Sequence, residues 1–173
     1  MYYHASQQVF EKFVIQESRY DTVGKYGSGI YFSSDYNSVK IHTVGNDYAI
    51  YACNISRIDN LNHFPIWDDY LDKEIYLQAI ELLTKKGYTK LVDEWEEELG
   101  QYGELVSFGN YYSQLAFVLG GTQQASKFFT LIDVWGTQVP DAPGYEGATV
   151  VCVYNTDAIS IENLYLKEST THR

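Results

Sequence analysis

Strand-like runs occur only at the two ends of this chain, and a long middle of helical spacing separates them. Met1 to Ser6, Ile30 to Ser33 and Tyr48 to Ile55 read as strands before the middle; Ala148 to Tyr154 and Ile159 to Leu166 read as strands after it. Ala148 to Tyr154 is so β-prone that it is expected to be a central strand buried on both faces. Gln8 to Glu17 carries Val9, Phe10, Phe13 and Val14 at helical spacing, and Asp35 to His42 reads as a short helix with Ser34 or Asp35 as cap and Val39 inward. The order is β-α-β-α-β, four helical segments, then β-β, an α+β pattern. The helical middle, residues 68–136, is either an inserted lobe or a cap over the sheet of a single domain spanning 1–173.

Each middle segment shows an apolar stripe and a stop. Glu74 to Lys86 aligns Ile75, Ala79, Leu82 and Leu83 and stops at Gly87. Lys90 to Leu99 aligns Leu91, Trp95 and Leu99 and keeps most of the Glu94 to Glu98 acids outside. Asn110 to Leu119 aligns Tyr111, Leu115 and Val118 ahead of Gly120 and Gly121. Thr122 can cap a fourth helix, with Ala125, Phe128, Phe129 and Ile132 inward and Gly136 at its end. Residues 137–147 read as a Pro/Gly loop, and the polar tail from Glu168 is expected to fray.

At 173 residues the chain is of one-domain length and can bury a core without staples. Its net charge of −11 opposes sequence-independent binding of nucleic acid, which needs Lys and Arg to replace counterions, and equally opposes docking on anionic lipid. The expected partner is a protein, one with a basic surface, and an anionic small ligand needs a local exception to the acidic field. Cys53 and Cys152 sit in apolar runs and read as buried free thiols; no Cys or His cluster suggests a metal. No apolar run reaches membrane-spanning length and no signal segment is evident, so the expected compartment is the reducing cytoplasm. Trp67, Trp95 and Trp135 read as core, and His63 and His172 as incidental.

Two short runs carry polar groups that strand packing does not require. Tyr3-His4-Ala5-Ser6 resembles the opening strand motif (aromatic, His, small, Ser/Thr) of the diphtheria-toxin and poly(ADP-ribose) polymerase branch of ADP-ribosyltransferases. Gly27-Ser28-Gly29-Ile30-Tyr31-Phe32-Ser33 resembles that branch's second motif, and Val150 to Tyr154 with Asn155 to Ile161 resembles its last strand pair. The resemblance covers about half the chain, at its two ends. It implies a split, mixed or antiparallel sheet with an inserted helical lobe. It also implies NAD as substrate, no metal, and transfer of ADP-ribose to a macromolecule, in the manner of the small toxins and phage-encoded anti-CRISPR transferases of the family.

The residue roles follow from the resemblance. His4 would bond the adenosine ribose, the Ala5 backbone would grip the carboxamide, and Tyr31 would stack on the nicotinamide. Ser38 would make a second carboxamide contact, and the second aromatic clamp falls on Ile41 or His42. Breaking the nicotinamide–ribose bond passes through an oxocarbenium-like sugar, so a carboxylate is wanted nearby. The family's Glu position falls on Val150 here; Glu146 is the nearest upstream acid and Asp141 the next. A silent relative that binds a partner, and an NAD glycohydrolase, are the alternative readings.

Overall fold

The computed structural model describes residues 1–15, 25–41 and 48–167. Their strands form one antiparallel sheet: β1 (Tyr2–Ser6), β2 (Ile30–Ser33), β3 (Tyr48–Ile55), β4 (Gly136–Pro140), β5 (Thr149–Val153) and β6 (Ile159–Lys167), in the order β4-β5-β2-β1-β3-β6. Between β2 and β3 lies α1 (Tyr36–Ile41), and between β3 and β4 lie α2 (Lys73–Lys85), α3 (Thr89–Tyr102), α4 (Phe108–Leu119) and α5 (Thr122–Leu131). The fold is α+β, with each half of the sheet drawing strands from both ends of the chain.

Burial follows the period of each element. On β5, Val150 and Cys152 face a core shared with the helices, whereas Val151 and Val153 face a second core with Phe13, Phe32 and Tyr51, so the strand is buried on both faces as its composition predicts. Ile75, Ala79, Leu83, Leu91, Trp95, Tyr111, Leu115, Ala125 and Phe129 join Val139 and Tyr154 in the first of these cores. The helices thus cover one face of the sheet and share its core. Fully burying each of these large side chains contributes about 1.5–3 kcal/mol. Both cysteines are buried and free.

Three sequence expectations are corrected. Residues 8–15 are not helical. The Tyr51 hydroxyl accepts from Phe10 N–H (2.6 Å) and donates to Phe10 C=O (2.9 Å), taking the groups a helix would have paired, and Phe13 is drawn into the sheet core. Val9 and Val14, the other half of the supposed apolar stripe, are exposed. Second, the expected loop 137–147 begins as strand β4, and Gly136 opens that strand instead of ending a helix. Its outer edge is occupied, with Gln138 N–H bonding Pro65 C=O and Trp67 N–H bonding Gln138 C=O; Pro140 is tolerated as the strand's last residue. Third, Thr122 is the first residue of α5, not its cap, Gly121 holding that position, and Val118 faces outward.

Candidate functional site

The sheet is split between its two central strands. On one side β1 pairs with β3 from Tyr2 through Ser6. On the other its register with β2 is a single pair, Tyr3 with Ser33, after which β2 continues along β5. The two strands part where His4 and Ala5 would have met Phe32 and Tyr31. The His4 imidazole crosses the gap, with Nδ1 bonded to the Tyr31 carbonyl at 2.7 Å.

That bond decides the state of the imidazole. A carbonyl accepts only, so Nδ1 carries the proton, and in the neutral ring Nε2 is left as an acceptor. Burial lowers the His4 pKa, and the bond to Tyr31 opposes this only in part, so the ring is held neutral near pH 7. Phe13 packs edge-on to the ring at 5.2 Å and Phe32 lies tilted at 5.6 Å, which fixes its plane.

Beside the gap opens a cavity of about 400 Å³. Tyr3, His4 and Ala5 line it from β1, Tyr31, Phe32 and Ser33 from β2, and Ala142, Pro143 and Tyr145 from the turn after β4. The lining is aromatic, and its one formal charge among the described residues is the cation of Lys25. Lys25 Nζ lies 5.7 Å from the centroid of the Tyr26 ring. It is the local positive exception that an anionic ligand requires in a chain of net charge −11. Sequence reading missed it, because a single loop lysine gives no periodic or motif signal.

Tyr31 is anchored at its hydroxyl, which donates to Gly27 C=O (2.6 Å) and accepts from Tyr26 N–H (3.0 Å). Burial pushes that phenol strongly upward, so it stays protonated and keeps its donor. The anchoring loop needs its glycines. Gly27 has φ of +100°, and a Cβ there would meet the Tyr112 hydroxyl at 2.6 Å; a Cβ on Gly29 would strike the Val153 carbonyl.

Ser38 stands behind the cavity, not on its wall. Its hydroxyl donates to Asp35 C=O (2.8 Å) and pairs with the Ser33 hydroxyl (2.7 Å), and Ser33 is the one that lines the cavity. Asp35 caps α1, accepting from Asn37 and Ser38 N–H at 3.2 Å each. His42 lies outside the described residues.

The two candidate acids flank the lining segment 142–145 and are exposed. Asp141 accepts from Gly147 N–H at 2.7 Å, and Glu146 accepts from Gly144 N–H at 3.2 Å. Hydrogen bonds from its own N–H and from that of Gly144 hold the Glu146 carboxyl below the usual carboxylate range. Both carboxylates close the turn, and neither belongs to the cavity wall. His63 is remote from this wall: its ring bonds Asp133 C=O (2.6 Å) and Arg57 (3.1 Å) and stacks on Trp135.

No family model matches the chain, and neither a curated protein nor a solved structure matches it. Among the described residues no helix is long and apolar enough to cross a membrane, and no group of three or more His, Cys, Asp or Glu is gathered as for a metal.

Proposed function

We propose that the split cavity binds NAD and that the protein, built on an ADP-ribosyltransferase-like fold, transfers the ADP-ribose to a protein target. The observation that carries this reading is the crossing of the gap by His4. One lip supplies a neutral imidazole with an acceptor nitrogen, and the other supplies an aromatic ring whose own carbonyl orients that imidazole. The adenosine ribose would donate a hydroxyl proton to His4 Nε2, the nicotinamide would lie on Tyr31, and Lys25 would face the diphosphate. In the reaction the C1′–N bond breaks and its electron pair leaves with neutral nicotinamide. The acceptor nucleophile of the target then bonds C1′ and gives up its proton to solvent. No strong acid is needed; what is needed is alignment and a negative charge near the sugar.

A second reading has a specific observation behind it. No acid is among the described lining residues, and Asp141 and Glu146 are bonded into their turn. A cavity that binds NAD but does not cleave it, on an acidic protein that blocks a basic partner, fits that arrangement. Nicotinamide release from NAD separates the readings when measured alone and with cell lysate as acceptor source. Release that rises with lysate and labels one protein band supports the transferase. Release without lysate makes the protein a glycohydrolase, and NAD binding without release in either case leaves the silent binder.

A further inference from the structure

The helical cap reaches the loop behind the cavity through a cluster of hydroxyls. On α4, the Tyr112 hydroxyl accepts from Ser28 N–H (3.1 Å) and lies 2.7 Å from both Thr122 C=O and the Ser126 hydroxyl on α5. Ser126 donates in turn to Ser28 C=O (2.7 Å), and the Ser28 and Thr122 hydroxyls pair at 2.6 Å. Ser28 is therefore held at its N–H, its C=O and its side chain by two helices distant in sequence. Its neighbour Gly27 supplies the carbonyl that takes the Tyr31 hydroxyl, and Tyr26, whose N–H donates to that hydroxyl, is itself held by Tyr154.

We propose that Tyr112 is a positioning residue. Through Ser28 it fixes the 26–28 loop, and that loop fixes the ring of Tyr31 against the cavity. The role gives a use to the polar cluster that sits inside the cap core. A buried hydroxyl with several partners is retained at a cost that only good geometry offsets. It also gives the helical middle a task at the site although no residue of α2 to α5 lines the cavity. This inference rests on the proposed function only for the identity of the ligand; the coupling of Tyr112 to Tyr31 does not depend on it.

The experiment uses the full chain and two readouts. Amide hydrogen exchange without ligand compares Tyr112→Phe with the parent. The expected result is faster exchange at Ser28 and also at Tyr26, whose N–H is protected by Tyr31, by about five-fold or more. Acceleration at Ser28 alone, with Tyr26 unchanged, overturns the inference. Should Tyr112→Phe fail to fold, Ser126→Ala removes the donor to Ser28 C=O and is judged by the same two amides. Nicotinamide and ADP-ribose are then titrated separately. The variant is expected to bind nicotinamide several-fold more weakly and ADP-ribose as the parent does. Equal weakening of both marks a general structural role and overturns the inference. A parent that binds neither molecule sinks the NAD reading while the exchange result still decides the role of Tyr112.

Discussion

Tyr31 lines the cavity and Glu146 stands in the turn that bounds its other side without joining the wall, and the two are held in opposite ways. The Tyr31 hydroxyl is locked into a loop that helices α4 and α5 grip, and the ring is half-buried against the cap core. Glu146 is exposed and bonds only within its own turn. The Tyr31 anchor depends on residues from distant stretches of chain, whereas the Glu146 carboxylate bonds within its turn, although Ala142 and Tyr145 of that turn pack on the cap core. The carboxylate can therefore move by giving up hydrogen bonds that water readily replaces.

Glycine substitutions break this comparison most directly. Gly27→Ala adds left-handed backbone strain to a clash with Tyr112, and is expected to cost about 2–5 kcal/mol in chemical denaturation. Gly147→Ala, at φ of +78° with open space around its Cβ, is expected to cost about 1–2 kcal/mol. Equal losses would mean that the two sides are equally constrained.

Carboxylate substitutions sharpen the acid side. On the proposed transferase reading, Glu146→Gln is expected to keep NAD bound and lower nicotinamide release by about a hundredfold or more, because that reading assigns Glu146 the charge near the developing sugar cation. If release persists in Glu146→Gln and vanishes in Asp141→Asn, the role moves to Asp141. Full activity in both variants would leave the turn without a catalytic part.

Smaller effects bear on the ring side. Lys25→Gln is expected to weaken NAD about five- to tenfold, more so at low salt, and to leave nicotinamide binding unchanged. A loss that ignores ionic strength would remove Lys25 from the diphosphate. For His4 the folded pKa is lowered, so the unfolded chain takes up the proton first. The His4 contribution is complete above the unfolded pKa of about 6.5 and is lost as pH falls from there through the lower folded value. The melting temperature of the parent should accordingly fall with acidification more steeply than that of His4→Gln. Parallel slopes would show that the imidazole is not held neutral. Least disruptive is a thiol titration of the native protein: burial pushes Cys53 to about 12 and Cys152 upward as well, so neither should react until the chain unfolds.

The legible parts of this molecule are those whose signal is short in range. The 3.6 spacing of Ile75, Ala79 and Leu83 reports a helix face whatever lies beyond it, and the β-branched run at Val150 and Val151 reports a buried strand. The glycines of the Gly27-Ser28-Gly29 run could likewise be marked as special, since close approach and positive φ exclude a Cβ. Phe10 and Phe13 misled because their spacing fits a helix equally well; only the Tyr51 hydroxyl, 41 residues away, decides against it. Strand β4 was hidden for a related reason. Proline and glycine mark its sequence as a loop, and its partner on the outer edge comes from residues 65–67.

The sequence by itself determined most element types, residues 8–15 and β4 apart, and the burial of β5, because periodicity is a local property; His4 and Tyr31 became candidates through the resemblance of their motifs. Tertiary structure alone decided that the sheet parts after Tyr3 and Ser33, that Lys25 supplies the cavity's positive charge, and that Tyr112 holds the loop behind Tyr31. Each of those depends on where distant backbone comes to rest, and no spacing along the chain encodes that position.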